Sequence, residues 1–114
     1  MNYIIPVMML SVISISGCSK STPACGDTET VDLVKQIADR EMSNQLGATT
    51  AKLFSYVVTA IRTKDTNEKT GAHECAAQLG ITASSTGQTK EIPISYTVEM
   101  ADNGKDFYVN VFGL

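Results

Sequence analysis

The side chains that could do chemistry in this chain are few. Its thiol and imidazole groups are Cys18, Cys25, Cys75 and a lone histidine, His73. A metal site built on His73 and Glu74 would need both on one face, but successive strand residues point to opposite faces. Redox chemistry would want a Cys-x-x-Cys pair, which the sequence lacks. Ser84, Ser85 and Ser95 are candidate nucleophiles, yet none stands in a Gly-x-Ser-x-Gly elbow. The carboxylate pairs Asp102/Asp106 and Asp65/Glu68 fall in turn-forming stretches, where acids serve the backbone. Around Asp102 the spacing also misses the calcium-loop pattern, because Asn103 and Gly104 come too early. With 9 Lys+Arg against 12 Asp+Glu, a net charge of −3 and no basic stripe, nucleic acid is not an expected partner. No enzyme, cofactor or metal is expected.

One cysteine has a distinctive setting. From Ile4 to Ile15 the chain is almost wholly aliphatic, broken by Pro6, Ser11 and Ser14, and it then runs Ile15-Ser16-Gly17-Cys18. That apolar run suits a secretory leader and falls short of the roughly 20 residues of a spanning helix. The segment resembles a bacterial lipoprotein leader with its lipobox. The resemblance implies that residues 1–17 are removed and that Cys18 becomes a lipidated first residue. An ordinary secretory leader and an uncleaved anchor are the alternatives. Two or three acyl chains hold a protein stably on a bilayer, whereas one is marginal. Ser19 is not the aspartate associated with inner-membrane retention in enterobacterial lipoproteins, so an outer-membrane anchor with the domain facing the periplasm is the expected address.

With Cys18 lipidated, Cys25 and Cys75 remain as the one possible disulfide in an oxidising compartment. Such a loop closure stabilises by about 4 kcal/mol on the chain-entropy view. Cys25 follows Cys18 by seven positions, so the tether, residues 18–26, reaches about 25 Å at most. The domain stays near the bilayer.

The elements that must position these groups lie in a single domain, residues 27–114. Gly26-Asp27-Thr28 offers a helix start, with Glu29 and Asp32 at the positive end of the dipole. Val31, Val34, Ile37, Ala38 and Met42 recur at helical spacing, and Gly47 is a stop. A two-residue period then takes over. Strands are predicted over 56–63, 72–83, 92–100 and 107–112, with connections at 64–71, 84–90 and Asp102-Asn103-Gly104. Pro93 points to a strand start or an edge. One N-terminal helix on a four-stranded antiparallel sheet, an α+β fold, is the expected architecture; its element order resembles cystatin-like domains.

A sheet covered by one helix leaves its other face open. Arg62, Glu74, Gln78, Thr97 and Glu99 are the candidates for that face, with Tyr108, Asn110 and Phe112 in one register of the last strand. In the other register Phe107, Val109 and Val111 face outward, and the sequence leaves both open. Exposed aromatics anchor interfaces. The expected function is therefore a lipid-anchored, non-enzymatic envelope protein that binds another protein as an inhibitor, immunity or exclusion factor. An accessory or structural subunit of an envelope assembly and a small-ligand binder are the other classes.

Overall fold

The computed structural model describes residues 21–114. Cys18 and the leader lie outside them. Helix α1 spans Thr28–Leu46, a short α2 follows at Ala48–Ala51, and four strands complete the domain: β1 Phe54–Thr66, β2 His73–Ala83, β3 Thr89–Met100 and β4 Phe107–Phe112. The strands pair antiparallel in sequence order, β1-β2-β3-β4, so every connection is a hairpin. One main helix on a four-stranded antiparallel sheet is the α+β architecture expected from the change of period.

The helix begins at Asp27 without a side-chain cap. Instead, the Asp27 carboxylate accepts the Ala24 amide at 2.9 Å, which fixes the turn entering the helix. Gly47, at φ 90°, ends it, and its N–H donates to the Ser43 carbonyl. Thr30, Val34 and Ala38 form the buried line of α1, with Leu33 and Ile37 packed beside it. Thr30 replaces the expected Val31 on this line. Its hydroxyl is buried and has no hydrogen-bond partner. Against the helix the sheet presents Cys75, Ala77 and Leu79 of β2, Ile94, Tyr96 and Val98 of β3, and Val109 of β4.

The expected disulfide is present. Cys25 and Cys75 are bonded, with Cα atoms 5.8 Å apart, and both are buried. The link joins the helix entrance to the second strand across a sequence separation of 50. Around it, the Tyr96 hydroxyl donates to the Cys25 carbonyl at 2.7 Å, and the Thr63 hydroxyl reaches Cys25 Sγ at 3.3 Å. Burial pushes the Tyr96 phenol above its ordinary pKa.

The sequence expectations need correction at several points. Thr89 and Lys90, expected in the 84–90 connection, open β3 and pair with Thr82 and Ile81. Polar residues 64–66 extend β1, because Asp65 and Thr66 pair with Glu74 and His73. Pro93 lies inside β3, opposite Gln78, and β3 is a central strand. The reason is local: β4 pairs only with residues 95–100 of β3, so at Pro93 that side has no ladder for a proline to interrupt.

Candidate partner-binding face

Register decides which side chains share the open face. Inward-facing Cys75, Ala77 and Leu79 put Glu74, Ala76 and Gln78 on the opposite side of β2. Cross-strand pairing then carries that face over the whole sheet. One row runs Asp65, Glu74, Thr97, Asn110; the next runs Arg62, Ala76, Ser95, Phe112. Gln78 lies between Thr59 and Pro93, and Glu99 lies opposite Tyr108. Arg62, Glu74, Gln78, Thr97, Glu99, Tyr108, Asn110 and Phe112 thus occupy one surface.

The last strand resolves the register left open above. Val109 is buried, with Phe107 and Val111 packed against the core, whereas Tyr108 and Phe112 are 59% and 56% exposed. Pairing of Val98 with Val109 fixes this orientation, since Val98 faces the helix.

Between the Arg62 and Phe112 ends of its row the face dips, because Ala76 and Ser95 are short. The resulting depression, about 360 Å³, is lined by Lys64, Glu74, Ala76, Ser95, Thr97 and Phe112. Arg62, paired with Ala76 in the same row, is held on a fixed support. Its Nε donates to the Ala60 carbonyl at 3.1 Å, and Ala60 sits at φ 54° in the bulge that separates Thr59 from Arg62. The bulge re-aims the strand so that Arg62 stays on the open face. Sequence reasoning missed Val57, 54% exposed on this face opposite Gly80, because its β-branched neighbours give no sign of facing. Lys64 was also missed; a second register shift, between Thr63 and Asp65, brings it to the depression.

On the helix side, a smaller cavity of about 210 Å³ lies between α1 and the sheet, bordered by Met42, Tyr56, Ile81, Lys90, Ile92 and Leu114. Drug-sized ligands occupy roughly 300–1,000 Å³. Tyr56 leans over it toward Asp39; burial, then the Asp39 charge and hydrogen bond, raises its phenol pKa. Among the described residues no cluster of three or more His, Cys, Asp or Glu is placed to hold a metal ion, and no helix is long and apolar enough to cross a membrane. His73 pairs locally, its Nδ1 lying 2.9 Å from the Thr66 hydroxyl.

No protein-family model, curated protein or solved structure matches the chain.

Proposed function

We propose that this is a lipid-anchored bacterial envelope protein, tethered through Cys18, whose open sheet face binds another protein without catalysis. The observation that carries the reading is the pair Tyr108 and Phe112, each more than half exposed beside a polar field. Exposed aromatics flanked by Arg, Asn and Glu have the composition of an interface core with its rim. An inhibitor, immunity or exclusion role suits such a face. The cystatin-like relationship is part of the proposal and rests on element order alone, which carries no function by itself. An outer-membrane address, with the domain in the periplasm, is part of the same proposal and rests on the lipobox-like leader together with Ser19 beside Cys18.

The test is in-cell photo-cross-linking with a reactive side chain placed at Phe112 or, as a control, at Gln36 on the exposed side of α1. A discrete protein adduct from position 112, absent from position 36 and lost with Cys18→Ala, is the expected result. Equal adducts from both positions, or none from either, would overturn the reading.

A further inference from the structure

The two edges of this sheet are built differently. Edge β1 carries two register shifts, a residue at positive φ and the charges Arg62, Lys64 and Asp65. These are devices that blunt an edge against pairing. Edge β4, Phe-Tyr-Val-Asn-Val-Phe, has no charge, proline, glycine or bulge. Such a six-residue segment has the composition of a strand that recruits another strand.

We propose that β4 pairs edge to edge with β4 of a second copy of this chain, antiparallel about a two-fold axis at Asn110. The proposal rests on reading Tyr108 and Phe112 as contact residues and Cys18 as a lipid anchor, and it names their first partner. Geometry supplies the register. The Ala101 amide donates to the Asp106 carbonyl at 2.8 Å, closing the β3–β4 hairpin. Pairing from there is continuous, so hydrogen-bonded pairs alternate regularly. Phe107, Val109 and Val111 are thereby left with backbone groups directed to the open edge. A second β4 centred on Asn110 sets Val109 against Val111 of the other copy, with both strands' free groups meeting. On the open face the same register sets Tyr108 directly opposite Phe112 of the other copy, twice. Cross-strand aromatic pairs are among the favourable ones in a sheet. The segment is self-complementary, as an isologous two-fold contact requires.

Size sets the strength. At roughly 150–250 Å² per aromatic, with somewhat more than half of each exposed, four rings contribute about 400 Å². The four rings alone supply about a third of the roughly 1,200 Å² of a stable interface. Pairing is therefore weak between free chains and effective between chains held on one membrane, where tethering raises the effective concentration.

In the proposed register Asn110 faces Asn110 of the other copy in a non-hydrogen-bonded pair, with Cα atoms about 4.5 Å apart. Disulfides span about 4.4–6.8 Å between Cα atoms. The full chain carrying Asn110→Cys, expressed in cells and oxidised at the membrane, should give about tenfold more disulfide-linked dimer than Thr97→Cys. Thr97 shares the face but lies one strand inward. Adding Tyr108→Ala should lower the trapped fraction several-fold. Asn110→Lys provides a second readout: the native protein, chemically cross-linked in its membrane, should lose its dimer. Trapping at position 110 no stronger than at 97, or a dimer that survives Asn110→Lys, would overturn self-pairing. A protein adduct at Phe112 alongside failed trapping would leave the partner-binding reading standing and remove only the second copy as its occupant.

Discussion

Removing the Cys25–Cys75 link should destabilise the domain severely. The loop it closes has a sequence separation of 50. The chain-entropy relation gives about 4 kcal/mol for a loop of that length. Total stability of a small domain is about 5–15 kcal/mol, so the loss consumes a large share of it. The site adds to the effect. Both sulfurs are buried, and the Cys25 backbone carbonyl is the acceptor for the buried Tyr96 hydroxyl. If the helix entrance drifts from β2, that hydroxyl loses its partner, a cost of about 1–3 kcal/mol. The Cys25→Ala/Cys75→Ala variant should therefore be destabilised by about 4 kcal/mol or more. In urea, with a slope of about 1.5 kcal/mol per molar, its midpoint falls by about 2.5 M, which brings partial unfolding close to ambient conditions. Circular dichroism against urea measures this directly. A loss below about 1 kcal/mol would refute the reasoning, because it would mean the helix entrance is held to the sheet without the bond.

Two further changes probe the core and its titration. Thr30→Val replaces a buried, unpartnered hydroxyl with an isosteric methyl and should stabilise by about 1 kcal/mol in the same urea assay. Tyr96 carries a pH signature: burial raises its phenol pKa in the folded state, so its contribution is complete below about pH 10 and is lost as pH rises through the higher folded value. Tyr96→Phe should cost about 1 kcal/mol at neutral pH and flatten the decline of the urea midpoint above pH 10.

Much of the architecture was legible because period and punctuation agree. Val34, Ile37 and Ala38 mark the helix, and Gly47 its end. Ile92, Ile94, Tyr96 and Val98 alternate cleanly through β3. Cys25 and Cys75 could be joined because the helix entrance and the inward face of β2 converge. What escaped was set by tertiary context. Thr30 lies on the buried line, although its hydroxyl favours a surface assignment from residue type. Helix α2 is four residues long, too short to carry a period. Pro93 reads as an edge until the shortness of β4 is known. For the open face, Glu74, Gln78, Thr97 and Glu99 could be placed by alternation within their strands. Tyr108 and Phe112 could not, since β4 is apolar on both sides and only pairing with Val98 breaks the tie.

The two exposed aromatics, Tyr108 and Phe112, are the centre of the proposed binding surface. The most direct measurement is the affinity of the cross-linked protein partner for wild type, Tyr108→Ala, Phe112→Ala and Gln36→Ala. Each aromatic truncation should weaken binding by about 10- to 30-fold, as expected of interface anchors worth about 1.4–2 kcal/mol, while Gln36→Ala leaves it unchanged. Affinities within about twofold of wild type for both aromatic variants would contradict the assignment of the open sheet face as the binding surface.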